Sequence, residues 1–217
     1  MQLLCFDLDN TLVYSTKVHL LAFQKAFEKN KLQKKSKEQI LKYFSLESAQ
    51  MIKKLYPHLK KKEILKVTKD HDTYVLKQTA KYIKVIPGAK KTLKKLKKNY
   101  EIAILSNCKH KEILSILKHA KIERSIFDKI IGNDEVKHPK PAPDEIIKAK
   151  QLLKLNDGYM IGDSIYDIRA GKKAKVKTIA VCTGSHTKTE LQKEKPSAIL
   201  KSIKELENFL KKEAPCE

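Results

Sequence analysis

Short apolar runs that stop at polar or acidic residues, separated by stretches of helical periodicity, restrict this chain more than any other feature. Leu3 to Leu8 is apolar apart from Asp7 and opens into Asp9, Asn10 and Thr11. A run of that length, closed by turn-forming residues, reads as a strand buried on both faces, as in a parallel sheet. Similar runs recur at Glu101–Ser106, around Lys129–Gly132, at Gly158–Gly162, at Val176–Cys182 and, shorter, at Ala198–Leu200. Between them, Ala89, Leu93 and Leu96, then Ile113, Leu114 and Leu117, then Ile146, Ile147, Leu152 and Leu153, mark helices, with a further one around Ile168 to Lys173. Ser202-Ile-Lys-Glu205 has the spacing of a capping box opening the last helix. Strands alternating with helices predict an α/β fold with a parallel sheet covered on both faces.

One long stretch breaks the alternation. From Lys17 to about Ile83 the pattern is helical throughout: Leu20, Phe23 and Phe27 share one face, Ile40, Leu41, Phe44, Met51, Ile52 and Leu55 mark a second stretch, and Ile64, Leu65, Tyr74, Val75 and Tyr82 a third. Pro57 separates the second from the third. We therefore expect an all-helical insert over 16–83 and a sheet-bearing core from 1–15 and 84–217. The aromatic residues of the insert are expected to be core packing, and His19 an ordinary histidine near a helix start.

The formal charge is +22, from 47 Lys and Arg against 25 Asp and Glu. Arg124 and Arg169 are the only arginines, and base-edge and bidentate phosphate recognition favour arginine's planar fork. The lysines fall mainly at polar positions of helical patterns, as over Lys90–Lys98, so they read as solvated faces rather than a nucleic-acid track. Cys5, Cys108, Cys182 and Cys216 form no CxxC pair, which argues against a zinc ribbon or disulfide framework and suits a reducing cytoplasm. Met1-Gln2 runs straight into the apolar Leu3-Leu4, so no signal peptide is expected, and no run approaches a membrane span.

Four segments carry chemistry. Asp7 and Asp9 lie two apart at a predicted strand end, where the period of two turns both carboxylates the same way. One carboxylate can attack phosphorus while the other exchanges protons with leaving oxygen and water. Ser106-Asn107 closes another strand and offers a hydroxyl and adjacent donors for phosphoryl oxygens. Lys140, held between Pro139 and Pro141, can offset charge gathering in a transition state. Gly162-Asp163-Ser-Ile-Tyr-Asp167 supplies hard oxygen ligands or their supports, suited to Mg²⁺ beside a phosphate. In a parallel sheet these strand ends converge on one rim.

These segments, in this order, resemble the haloacid dehalogenase (HAD) superfamily of phosphatases over the whole chain. The resemblance implies a Rossmann-like core, Asp7 as nucleophile and Asp9 as acid/base, with Ser106, Asn107 and Lys140 binding the phosphoryl group. It further implies Mg²⁺ held by the Asp7 carboxylate, the Asp9 backbone carbonyl and Asp163, with Asp167 in support and Thr11 bracing Asp9. The helical insert is similar to the C1-type cap of the phosphoglycolate phosphatase-like group, and the stretch between Ser106 and Lys140 is too short for a cap. That group usually carries Gly where Asn10 stands, Asp at Tyr14 and Gly at Lys175. Asn10 tolerates a left-handed backbone, while Tyr14 sits at the cap entry, where it can alter what the site accepts. The expected activity is Mg²⁺-dependent hydrolysis of a small phosphorylated metabolite, phosphoglycolate first, by a monomer or weak homo-oligomer. A sugar-phosphate mutase, a nucleotide or pyrophosphate hydrolase, and a protein acting on nucleic-acid ends are the alternatives.

Overall fold

The computed structural model describes residues 1–213; Cys216 lies outside them. The sheet strands are β1 (Gln2–Phe6), β4 (Tyr100–Ser106), β5 (Lys129–Gly132), β6 (Gly158–Gly162), β7 (Lys177–Val181) and β8 (Ala198–Leu200), with β2 (Val13–Tyr14) and β3 (Lys84–Val85) forming a separate antiparallel pair. The helices are α1 (Thr16–Lys29), α2 (Lys37–Leu41), α3 (Ser48–Leu55), α4 (Lys61–Tyr74), α5 (Ala89–Leu96), α6 (His110–Ala120), α7 (Asp144–Leu153), α8 (Ile165–Lys173), α9 (Lys188–Lys193) and α10 (Leu206–Glu213).

The large sheet has six strands, ordered β5-β4-β1-β6-β7-β8, all parallel. The chain winds outward from β1 through β4 to β5, then returns to β1's other side and winds outward again. The order therefore reverses between β1 and β6, and ligands of doubly wound sheets bind outside the carboxyl ends of strands at such a switch point. Asp7 directly follows β1 and Asp163 directly follows β6.

β1 is apolar on both faces because it is covered on both. Leu4 and Phe6 pack with Leu93, Ile113, Ile116 and Leu206, while Leu3 and Cys5 pack with Ile146, Ala149 and Ala170. Along α7, Ile146 and Ala149 are buried and Leu153 packs partly against them, but Ile147 and Leu152 are exposed. All four apolar residues mark the helix, but only positions three to four apart reach the sheet. Ser202 likewise caps a single 3₁₀ turn, Ile203–Glu205, by accepting from the Lys204 amide, and Glu205 accepts from Lys201 N instead of closing a box.

Helices α1 to α4 and two further helical turns, one of them a π-helical turn, fill the stretch between β2 and β3. They share a core of their own, built on Phe23, Phe27, Ile40, Met51, Ile52, Tyr56 and Val67. The antiparallel pairing of Val13 with Val85 and Tyr14 with Lys84, at the two ends of this segment, has no counterpart in the sequence reading. Among the described residues, no helix is long and apolar enough to cross a membrane.

Candidate active site

The cleft at the sheet's carboxyl edge is lined by Asp7, Asp9, Asn107, Lys140, Asp163 and Asp167 from the core and by His19, Phe23 and Phe44 from the helical segment. Lys140 organises one side of it. Its ammonium, 2% exposed, donates to Asp7 Oδ1 at 2.7 Å, to Asp167 Oδ1 at 2.7 Å and to the Leu105 carbonyl at 2.8 Å. All three donors are thereby taken. The second oxygen of Asp167 accepts from Ser164 N at 3.1 Å and Ser164 Oγ at 2.5 Å, so this carboxylate is held from both ends by Lys140 and by the cap of α8.

Asp163 is less engaged. Thr11 Oγ1 donates to its Oδ1 at 3.3 Å. The expectation that Thr11 braces Asp9 is thus corrected: Asn10 adopts a left-handed conformation, φ 56°, which turns the chain so that Thr11 meets the end of β6. On its other flank Asp163 is pressed by Gly184, in the loop after β7. A β-carbon there would stand 1.6 Å from Asp163 Oδ2. Thr183 of the same loop donates to the Asn10 carbonyl at 2.5 Å. Neither residue was singled out from the sequence.

Carboxylate oxygens of Asp7, Asp163 and Asp167 lie within 4.8 Å of one another. Burial raises the pKa of Asp7 to about 8; Lys140 opposes the rise, while Asp167 and Asp9 add to it. Burial also pushes Asp163 well above the carboxylate range, with the charges of Asp7 and Asp167 behind it. Three buried carboxylates face one ammonium, and the donors are all hard oxygens. That set fits a hard divalent cation such as Mg²⁺.

Asp9 occupies the other side. Its Oδ1 meets His19 Nε2 at 3.3 Å, and its Oδ2 meets Cys108 Sγ at 3.2 Å and Ser106 Oγ at 3.4 Å. Burial resists its ionisation, but the His19 charge and hydrogen bonds from His19 and Cys108 outweigh that and hold it below the usual range. The two aspartates, two residues apart, are pushed in opposite directions. Ser106 is 1% exposed, and its hydroxyl, besides touching Asp9, accepts from Cys108 N. Asn107 gives both amide hydrogens to carbonyls, those of Ser45 and Lys140, at 2.9 and 3.1 Å, and so ties the helical segment to the core.

His19 lies near the start of α1, as expected, but it is not an ordinary histidine there. It is buried, its Nδ1 lies 3.2 Å from His71 Nε2, and His71 Nδ1 lies 3.0 Å from Asp72 Oδ1. A signal was available: His19, Phe23 and Phe27 are spaced by four on α1, the face buried by Phe23 and Phe27. Phe44 is not core either. It follows α2 in a turn, faces the cleft, and meets His19 edge-on with ring centroids 5.8 Å apart. Tyr14, by contrast, is 43% exposed and does not line the cleft.

The family model for haloacid dehalogenase-like hydrolases matches residues 4–181. The chain belongs to that family. Among its relatives, the phosphoglycolate phosphatase of Aquifex aeolicus is 30% identical over 85% of this chain and 86% of its own length. A protein of Caldanaerobacter subterraneus subsp. tengcongensis, named provisionally as pyrophosphatase PpaX, is 28% identical over 95% of this chain and 93% of its own. In fold, the crystal structure of a hydrolase from Pseudomonas syringae superposes with a TM-score of 0.87 at 22% identity, covering 99% of this chain and all of that one. The present chain is thus a hydrolase of the haloacid dehalogenase type, with phosphatases among its relatives.

Proposed function

We propose that this enzyme is a Mg²⁺-dependent phosphatase that cleaves small phosphate monoesters through an aspartyl-phosphate on Asp7. The observation that carries the reading is the placement of Lys140 between Asp7 and Asp167, beside Asp163, with Asp9 across the same cleft. Mg²⁺ would be held by the Asp7 carboxylate, the Asp9 backbone carbonyl and Asp163, with Asp167 and Thr11 in support. When bound, it offsets the negative charge that otherwise keeps a carboxylate nucleophile and a phosphate apart.

Asp7 attacks phosphorus, forming an O–P bond as the bond to the leaving oxygen breaks. Lys140 balances charge on the phosphoryl oxygens, and Ser106 and Asn107 orient them, Asn107 through its backbone because its side-chain hydrogens are engaged. The His19–Asp9 pair shares a proton that passes to the leaving oxygen. Burial opposes protonation of His19, but the Asp9 charge and hydrogen bond raise its pKa. Asp9 then takes a proton from the water that opens the aspartyl-phosphate, returning Asp7. Residues 16–83 act as a cap that excludes bulk water and selects the leaving group.

Phosphoglycolate is the first substrate we assign, by likeness to the Aquifex enzyme. Beyond Lys140 and the His19–Asp9 pair, the lining adds the neutral hydroxyls of Ser45 and Ser48, which suits a small organic acid better than a second phosphate. Pyrophosphate is the second reading, favoured by the Caldanaerobacter relative. The test is phosphate release from a panel of phosphoglycolate, pyrophosphate, sugar phosphates and nucleotides, with Mg²⁺ or EDTA, using wild type and Asp7→Asn. We expect metal-dependent turnover that Asp7→Asn abolishes. Turnover unchanged by both EDTA and Asp7→Asn would refute the proposal.

A further inference from the structure

Cys108 has no part in the reaction above, yet its thiol lies in the cleft beside the acid/base. Sγ lies 3.8 Å from His19 Nε2, and the Asp9 carboxylate reaches both, Oδ2 to Sγ at 3.2 Å and Oδ1 to Nε2 at 3.3 Å. A tetrahedral zinc ion, at its usual bond lengths, separates a nitrogen from an oxygen ligand by about 3.3 Å and a sulfur from either by about 3.5 Å. The sulfur–nitrogen separation matches within a few tenths of an ångström, and one ligand atom from each of the three residues lies within 4.8 Å of the other two. Donor type points the same way. Sulfur, imidazole and one carboxylate make a borderline-soft set, unlike the all-oxygen set of Asp7, Asp163 and Asp167 a few residues away.

A second observation supports the triangle independently. A histidine that ligates through Nε2 is oriented by the partner of its Nδ1–H, characteristically a chain ending in a carboxylate. His19 Nδ1 faces His71 Nε2 at 3.2 Å, and His71 Nδ1 faces Asp72 Oδ1 at 3.0 Å, all three residues being buried. With His71 Nδ1–H donating to Asp72, its Nε2 is left to accept from His19 Nδ1–H. With Nδ1–H donating to His71, His19 turns Nε2 toward Asp9 and the cleft, and the proton this nitrogen shares with Asp9 leaves when an ion binds. Asp9, His19 and Cys108 all line the same cleft, which gives an ion its way in.

We propose that Asp9, His19 and Cys108 form a second metal site, selective for a thiophilic divalent ion of the zinc class, whose occupation switches the phosphatase off by sequestering Asp9. Binding displaces to solvent the thiol proton of Cys108 and the proton shared by His19 and Asp9, and forms metal–sulfur, metal–nitrogen and metal–oxygen bonds without any change of oxidation state. The inhibitory consequence rests on Asp9 being the acid/base; the binding itself does not.

Cobalt(II) is the probe, because a cobalt–thiolate bond gives a charge-transfer band that oxygen and nitrogen ligands do not. The full chain, saturated with Mg²⁺, is titrated with cobalt(II), and zinc is then added in competition. We expect one equivalent of near-ultraviolet band, bleached by zinc, absent in Cys108→Ser, retained in Cys182→Ser, and at least about tenfold weaker in affinity in His19→Gln. Zinc should inhibit phosphate release, with each variant compared to its own zinc-free rate, and the midpoint should rise at least about tenfold in Cys108→Ser. A folded wild type without the band, or a band that persists in Cys108→Ser, overturns the site. A Cys108-dependent band in an active enzyme that zinc does not inhibit overturns the switch. A Cys108-dependent band in a protein that hydrolyses nothing in the panel leaves the metal site standing and sinks the catalytic reading instead.

Discussion

Gly184→Ala isolates the packing that holds Asp163 in place. The described glycine with positive φ is Gly88, so the backbone at Gly184 is one that alanine adopts readily. What alanine lacks is room. Its Cβ would stand 1.6 Å from Asp163 Oδ2, 2.4 Å from Cγ and 2.8 Å from Cβ. Ordinary contact begins near 3.5 Å, so the carboxylate has to retreat by about 2 Å or the loop must lift. Displacing a metal-binding carboxylate or its support characteristically weakens metal binding by about 10–100-fold, and a 1 Å misplacement near the chemistry can slow turnover by about 100-fold. We therefore expect the half-saturating Mg²⁺ concentration for phosphate release to rise by about 10–100-fold, with calorimetric Mg²⁺ affinity falling in parallel. Gly171→Ala is the control, since its Cβ would crowd Thr178 Cγ2 at 2.4 Å, away from the carboxylates. It should cost about 1–3 kcal/mol of stability by overpacking and leave Mg²⁺ dependence unchanged. If Gly184→Ala keeps wild-type Mg²⁺ affinity and turnover, the loop rather than Asp163 yields, and the reasoning fails.

Mg²⁺ should stabilise the folded chain, because Asp7, Asp163 and Asp167 repel one another without it. At a hundred times its dissociation constant the gain is about 2.7 kcal/mol, or roughly 5–10 °C in Tm for a chain of this size; a comparable shift in Asp163→Asn would place the ion elsewhere. Glu112 makes stability fall with pH. Burial raises its pKa from 4.5 to about 8, with Asp72 adding to the rise and His19 and Lys109 opposing it. Between those values the native state keeps a proton that the unfolded chain has released, so stability is lost as pH climbs through the window. Urea midpoints of Glu112→Gln against wild type should diverge upward from pH 5 to pH 8, and parallel curves would show Glu112 ionised in the fold. Lys121 ends α6 in a left-handed conformation, φ 51°. Lys121→Gly should raise stability by about 0.5–1 kcal/mol in chemical denaturation, since only glycine adopts that region without penalty; a loss would show that the lysine side chain is holding the helix end.

The strand ends were legible because their signal is local. A buried parallel strand must be apolar, so an aspartate or serine closing such a run stands out, and the sheet's winding brings Asp7, Ser106 and Asp163 to one edge without further information. Lys140 was legible for a related reason: Pro139 and Pro141 removed it from the helical faces that account for most lysines. Departures from the resemblance were informative too. Asn10 and Lys175, which stand where glycine is usual, both adopt positive φ, 56° and 57°. The residues that escaped are those whose role depends on a second element. Gly184 matters only because β7 lies next to β6, Thr11 meets Asp163 only because Asn10 bends the chain, and His19 matters because it stands between Asp9 and His71 of α4.

Helix ends escaped for a different reason, and it bears on the lysine excess. Lys31, Lys121, Lys154, Lys175 and Lys195 all have positive φ, and each lies at or just beyond the end of α1, α6, α7, α8 or α9. Glycine or asparagine ordinarily marks those positions, and the chain has only six glycines. The fold accepts a backbone penalty of about 1 kcal/mol at each such lysine in place of a residue that bears it freely. Lysine near a helix C-terminus recovers part of that by meeting the negative end of the dipole, worth about 0.3–1 kcal/mol at an exposed site. Part of the +22 charge is thus explained where it sits, as helix punctuation, without a polyanionic partner. The cleft points the same way: it is lined by carboxylates, two histidine-supported rings and a single lysine already bridging Asp7 and Asp167, so the charge that meets substrate is set by that lysine and the metal rather than by the lysine-rich exterior.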